Sequence, residues 1–157
     1  MLDFRVKSSI NDYNVKFIGN LKSIIKNESS DTDIFVVDGK IKDLYPEIFK
    51  SIGSNFKIIE IDANENQKSY EGIKSVITDL IGYGFRKNHR LIAIGGGITQ
   101  DITSFISSIL YRGVEWIFFP TTLLAQGDSC IGSKTSINFG EFKNQLGGFY
   151  PPRRIYI

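Results

Sequence analysis

Three stretches of the sequence carry groups suited to chemistry. In the first, Leu91-Ile92-Ala93-Ile94 runs directly into Gly95-Gly96-Gly97 and then Ile98-Thr99-Gln100-Asp101. Three glycines between a buried strand and a helix let the main chain approach a ligand with no Cβ in the way. The free N–H groups and the dipole of the incoming helix favour a phosphate at such a turn. The spacing is not G-x-G-x-x-G, so no standard dinucleotide fingerprint is present, and the triplet alone fits a tight βα turn equally well. The second stretch is Pro120-Thr121-Thr122-Leu123-Leu124-Ala125, where proline and two hydroxyls suit a helix start. By itself it fits ordinary capping. The third runs from Gln126 to Asn138 and from Lys143 to Pro152. Its Asp128, Lys134, Asn138, Lys143 and Asn144 supply an acid, cations and amides that could converge on a polyhydroxylated anion. The composition fits a solvated loop as well, although spaced apolar residues distinguish it from a disordered one.

Other chemistries are excluded by composition. With one histidine (His89) and one cysteine (Cys130), the chain can form neither an internal disulfide nor a His/Cys zinc site. No clustered acidic spacing points to magnesium, so metal ligands are expected to be absent. Nineteen basic against 17 acidic residues give a net charge of +2, which makes no electrostatic case for nucleic acid or an anionic membrane. The longest apolar runs, such as Trp116-Ile117-Phe118-Phe119, are strand-sized and far below the ~20 residues of a membrane span. The opening Met-Leu-Asp-Phe-Arg-Val-Lys has no apolar stretch of the secretory kind, and a lone cysteine suits a reducing compartment. A cytoplasmic location is expected.

These groups need a scaffold, and the hydrophobic pattern predicts one. Its 157 residues, 41% apolar and 23% charged, suit a single soluble domain. Phe4 to Lys7 and Tyr13 to Ile18 alternate with period two around a polar turn, which predicts a hairpin. A short helix begins at Leu21. Ile34-Phe35-Val36-Val37, Phe56 to Ile61, Leu91 to Ile94 and Val114 to Phe119 read as strands, the continuous runs being buried on both faces. Between them Ile41, Leu44, Tyr45, Ile48, Phe49 and Ile52, interrupted by Pro46, and then Ile73, Val76, Ile77, Leu80 and Ile81, fall at helical spacing. A further helix is predicted from Asp101 to Tyr111, and the last residues read as the start of another strand. Strands alternating with helices predict parallel βαβ units with right-handed crossovers. The fold class is α/β, in the nucleotide-binding style, with an N-terminal hairpin added.

Taken in order, Gly-Gly-Gly-x-x-x-Asp, Tyr-Arg-Gly, Pro-Thr-Thr-Leu-Leu-Ala, Asp-Ser-x-x-Gly-x-Lys-Thr-x-x-Asn and Lys-Asn-x-x-Gly-x-Phe resemble 3-dehydroquinate synthase and its sugar phosphate cyclase relatives. The likeness is nearly gapless from Leu91 to Pro152. Upstream it rests on Asp38 and on Glu65-Asn66-Gln67-Lys68, similar to the family's Glu-x-x-Lys. The resemblance implies a Rossmann-like NAD-binding domain spanning residues 1–157. In the family a helical C-terminal domain follows, carrying a glutamate and two histidines that bind a divalent metal, zinc or cobalt. Neither has a counterpart here, so a truncated chain, inactive alone, is expected. The implied reaction is phosphate-eliminating cyclisation of a seven-carbon keto-sugar acid phosphate in the shikimate pathway of aromatic amino acid biosynthesis. A ring hydroxyl is transiently oxidised by bound NAD, which acidifies the neighbouring proton.

Carried over by position, the resemblance implies that Asp38, Glu65 and Lys68 contact the adenosine part of NAD. Gly96, Gly97 and Asp101 fall at the pyrophosphate loop and its helix, and Thr121 and Thr122 among the hydroxyls lining the cofactor. Asp128, Lys134, Lys143 and Asn144 would surround the nicotinamide and the substrate. Arg112 matches an arginine that reaches substrate phosphate across a homodimer. Two positions depart from the family, which has glycine where Gln100 and Ser133 stand; Gln100 puts a side chain near the pyrophosphate turn. Competing readings are another cyclase, a metal-dependent polyol or glycerol phosphate dehydrogenase, and a non-catalytic nucleotide-binding module.

Overall fold

Successive side chains on a strand point to opposite faces, so a run that is apolar throughout needs cover on both. The computed structural model describes residues 3–52 and 56–157, apart from the side chains at 51 and 52, and it supplies that cover. Strands β3 (Ile34–Asp38), β5 (Arg90–Gly95) and β6 (Glu115–Pro120) lie parallel, with Val36 level with Ala93 and Ala93 with Phe118. One face sends Val36, Ala93, Trp116 and Phe118 into a core with Ile73, Val76 and Leu80 of α4 (Tyr70–Gly82) and Ile102 and Ile106 of α5 (Gly97–Ile109). The other sends Phe35, Val37, Ile92, Ile94, Ile117 and Phe119 into a second core with Ile25 of α1 (Leu21–Glu28) and Phe49 of α3 (Pro46–Ile52). Each such large side chain contributes about 1.5–3 kcal/mol on burial.

The remaining strands complete a seven-stranded sheet. These are β1 (Phe4–Val6), β2 (Tyr13–Lys16), β4 (Lys57–Ile61) and β9 (Arg154–Tyr156), and the order is β1-β2-β9-β6-β5-β3-β4. The predicted N-terminal hairpin is present, with β1 antiparallel to β2, and β2 then joins β9 in parallel. Pro46 acts as a restart, separating α2 (Gly39–Leu44) from α3. Ile52, the last position of that helical stripe, lies outside the described side chains, as Met1 and Leu2 lie outside the described residues. From β3 the chain steps outward to β4 and returns on the other side of β3 as β5. The crevice between β3 and β5 is therefore the topological switch point, where open α/β sheets place ligands beyond the carboxyl ends of their strands. At the opposite, amino edge, Arg90 grips buried Asp33 with two hydrogen bonds of 3.0 and 2.7 Å.

Three local features differ from the sequence reading. Helix α5 begins at Gly97, four residues before the predicted Asp101, because Gly96 alone makes the turn while Gly95 still belongs to β5. Glycine's low helix propensity hides such a start. The helix start predicted after Pro120 is present, capped by Thr122 and α-helical at residues 123 and 124, but it widens to π-type geometry over Ala125–Ser129. The segment that composition left open as a loop is instead an antiparallel hairpin, β7 (Lys134–Phe139) with β8 (Phe142–Phe149). Its Thr135 and Ile137 are buried and β7 packs on α5. No described helix is long and apolar enough to cross a membrane.

Candidate functional site

The glycine turn sits at the carboxyl end of β5 and is built by close approach. A Cβ on Gly95 would fall 2.3 Å from Thr99 Oγ1, so glycine is what lets the first turn of α5 fold back over its strand. A Cβ on Gly96 would come within 3.0 Å of Thr122 Cγ2. At Gly97 the nearest atom would be Ser129 Oγ at 3.7 Å, an ordinary van der Waals contact, so the first helical residue is not crowded. No side chain caps this helix end. Its first amides therefore remain available to an anion, with the helix dipole behind them.

Next door, β6 ends level with β5, Pro120 opposite Gly95, and the Thr121 N–H donates to the Gly95 carbonyl at 2.9 Å. Thr122 Oγ1 accepts from Ala125 N at 3.2 Å and starts the wide turn. Thr121 Oγ1 is buried without a hydrogen-bond partner. An orphaned hydroxyl at this edge is a group that a polar ligand would satisfy. On the other side of the crevice, Val37 pairs with Ile94, which places Asp38 level with Gly95. One oxygen of Asp38 accepts from Lys40 N at 3.0 Å as the cap of α2.

A polar network joins three segments far apart in sequence. Lys68 Nζ, on a residue only 7% exposed, donates to Asp101 Oδ2 at 3.1 Å and Asn144 Oδ1 at 2.8 Å, and stands 3.8 Å from Glu65 Oε1. Asn138 Nδ2 donates to Glu65 Oε1 at 2.8 Å, and Asn138 Oδ1 accepts from Asn144 N at 2.9 Å. Ser136 Oγ donates to Asn144 Oδ1 at 3.2 Å. The ladder between β7 and β8 breaks register around Asn138, whose N–H donates to the Lys68 carbonyl at 2.9 Å. The bulge thus turns Asn138 from its own hairpin to the loop before α4. Asn144 has a left-handed backbone (φ 55°), which asparagine tolerates better than most residues. The hydrogen bond from Asn138, aided by the charges of Lys68 and Lys143 against burial, holds the Glu65 carboxyl below its usual range. Burial pushes the Asp101 carboxyl up, and Lys68 opposes it.

The structure thus gathers Glu65, Lys68, Asp101 and Asn144 into one cluster, and Gly96, Gly97, Thr121 and Thr122 around one turn, with Asp38 across the switch point. Asp128 in the wide turn, Lys134 at the start of β7 and Lys143 on β8 have exposed side chains. Arg112 does not join them. It follows α5, whose thirteen residues span about 20 Å, so it stands at the opposite edge of the sheet from Gly97. Both Tyr111 (φ 51°) and Arg112 (φ 63°) are left-handed there. Gln100 does not plug the glycine turn, because its side chain reaches Ser129. Ser133 adopts φ 60°, a conformation that suits the glycine of the family pattern. Ser129 stands in the Asp-Ser motif yet carries no assigned role, and Ser136 falls between motif positions, so the sequence names neither as a site residue. Among the described residues no group of three His, Cys, Asp or Glu side chains could hold a metal ion.

An open parallel sheet whose switch point presents a glycine-lined, uncapped helix end defines a Rossmann-like α/β domain. Known proteins narrow this further. The family described as 3-dehydroquinate synthase N-terminal matches residues 58–157, and the chain belongs to that family. A 3-dehydroquinate synthase from Streptococcus equi subsp. equi is 32% identical over 159 residues, covering 98% of this chain and 44% of that protein. One from Alkaliphilus oremlandii is 37% identical over 143 residues, covering 89% and 39%. Among solved structures, 2-epi-5-epi-valiolone synthase from Streptomyces hygroscopicus subsp. jinggangensis, with NAD+ and Zn2+ bound, superposes with a TM-score of 0.84. It is 28% identical and covers 98% of this chain and 45% of its own. A 2-deoxy-scyllo-inosose synthase complexed with carbaglucose-6-phosphate, NAD+ and Co2+ has a TM-score of 0.83 at 22% identity, covering 98% and 44%, and shares the fold. The chain spans less than half the length of these relatives.

Proposed function

We propose that residues 1–157 form the NAD+-binding domain of a 3-dehydroquinate synthase-like enzyme, a carbon–oxygen lyase that cyclises a seven-carbon keto-sugar acid phosphate with loss of phosphate. The observation that carries this reading is the uncapped end of α5 at the switch point, bordered by the orphaned Thr121 hydroxyl. The Gly96 and Gly97 amides would receive the diphosphate. Asp38, Glu65 and Lys68 would face the adenosine portion, and Thr121 and Thr122 would line the cofactor. NAD+, when bound, supplies a hydride acceptor that makes a substrate hydroxyl carbon transiently a ketone. Lys134 and Lys143 are cations suited to the substrate's phosphate and carboxylate, while Asp128 and Asn144 can orient hydroxyls. The described residues offer no metal site, so the divalent metal of this chemistry would be held outside them. Arg112, remote from the turn within one chain, would serve the site of a second copy in a cytoplasmic homodimer.

Titration calorimetry with NAD+ tests the reading through Gly97→Ala. The fold has room for this Cβ, and alanine favours the helix by up to about 1 kcal/mol. The methyl would nevertheless stand where a diphosphate must approach. The expected result is saturable NAD+ binding by the wild-type chain and at least about tenfold weaker binding by a variant of equal or greater stability. Absence of binding by the wild-type chain, or unchanged affinity in Gly97→Ala, overturns the reading.

A further inference from the structure

Gln100 is 3% exposed and makes a two-point contact with a single residue. Its Nε2 donates to the Ser129 carbonyl at 2.7 Å, and its Oε1 accepts from the Ser129 hydroxyl at 3.2 Å. The Ser129 carbonyl can only accept, so the carboxamide fits in one orientation. Ser129 closes the wide turn that carries Asp128. The start of that turn is fastened to the end of β6, through Thr122 Oγ1 with Ala125 N and through Gln126 Nε2 with the Pro120 carbonyl at 3.1 Å. Its finish is fastened to α5 by Gln100. The contact also fixes Ser129 beside the helix start, where its Oγ would stand 3.7 Å from a Cβ on Gly97.

We propose that Gln100 is a positioning residue. Its carboxamide holds the Asp128 turn at a set distance from the Gly96–Gly97 amides, so both walls of the dinucleotide slot are in place before the ligand arrives. The inference rests on the dinucleotide reading of this edge. Without the contact, the finish of the turn would have to be ordered during binding, and affinity would fall by the cost of that ordering. The burial of Gln100 makes the contact consequential, because its carboxamide has little water at hand to replace the bonds to half-buried Ser129.

Gln100→Met keeps length and volume and removes the carboxamide. Ser129→Ala, a milder second variant, removes the hydroxyl and leaves the bond to the carbonyl. Amide hydrogen exchange without ligand and calorimetry with NAD+ are measured on the same samples. In Gln100→Met, exchange at Gln126, Cys130 and Ile131 should speed up by about tenfold or more while the interior of α5 stays protected, and NAD+ should bind about tenfold more weakly. Ser129→Ala should show the same pattern at about threefold. A residue that merely packs would lower the melting temperature and leave the NAD+ affinity unchanged. Unchanged affinity, or unchanged exchange at the turn, overturns the inference alone if the wild-type chain binds NAD+. A wild-type chain that binds no NAD+ overturns the dinucleotide reading and this inference with it.

Discussion

Replacing Lys68 by Met removes the one charge that holds the polar network together and keeps most of its aliphatic stem. Two carboxylates lose a cation: Asp101, with a side chain 21% exposed, and Glu65, which is 44% exposed. Breaking a fully enclosed ion pair costs about 3–5 kcal/mol. Asp101 retains some solvent and Glu65 much more, so the expected loss near neutral pH is about 2 kcal/mol. For a chain of this size that is a fall of about 4–8 °C in Tm. The pH dependence has a definite sign. Burial raises the folded-state pKa of Asp101 above its ordinary 3.8, so between the unfolded and folded values the native state binds more protons. Stability falls as pH rises through that window. Removing Lys68, which opposes the rise, widens the window upward and deepens the loss at neutral pH. Glu65 adds a constant part to the gap between the two proteins: the share of its stabilisation owed to Lys68 is present above about 4.5 in the wild-type protein and absent from the variant, so the change of that gap between about pH 7.5 and about pH 5 comes from Asp101. Denaturant unfolding of both proteins at about pH 7.5 and about pH 5 should show the gap between them shrinking on acidification. Adding Asp101→Asn to Lys68→Met should recover part of the loss at the higher pH. A gap that is equal at both pH values, or an additive further loss in the double variant, refutes the reasoning.

Two further substitutions test how the scaffold is tuned. Ser133 holds φ 60°, so Ser133→Gly should stabilise the chain by about 1 kcal/mol, read as a higher denaturant midpoint; a lower midpoint would mean that the buried serine earns its place by packing. Thr103 is fully buried with an unpartnered hydroxyl on α5, so Thr103→Val should be neutral or stabilising by up to about 1 kcal/mol. A loss of more than about 1 kcal/mol in thermal unfolding would reveal a partner for that hydroxyl.

Sequence periodicity carried the fold as far as local patterns reach. Ile34 to Val37 and Leu91 to Ile94 read as doubly buried strands because a parallel sheet with helices on both faces admits few polar side chains, and both sets lie in opposed cores. The β7–β8 hairpin was not legible for a physical reason. Only β7 buries a face, while β8 is exposed over most of its length, so the pair carries half of an alternating pattern. Its register also breaks at Asn138, where pairing passes to Lys68. The start of α5 was obscured because the residues that make it useful, Gly96 and Gly97, are the ones that helix propensity argues against. Motif spacing located the Glu65, Lys68, Asp101 and Asn144 positions, but their convergence on one ammonium group could only come from the tertiary fold.

That convergence bears on why a glycine triplet alone is a weak signal. Asp101 lies just past the first turn of α5, where an unmatched carboxylate would still repel an incoming anion through space. Lys68 reaches it from 33 residues away and neutralises it, while the bulge at Asn138 holds both the backbone of Lys68 and the carboxylate of Glu65. With Asp101 matched, the helix end keeps its positive potential. On the dinucleotide reading, the capacity of Gly96 and Gly97 to receive a diphosphate is therefore a property of the loop before α4 and of the β7–β8 hairpin as much as of the glycines. A Gly-Gly-Gly turn placed after a buried strand without those two segments would leave that acid unmatched one turn away from where the phosphate has to bind.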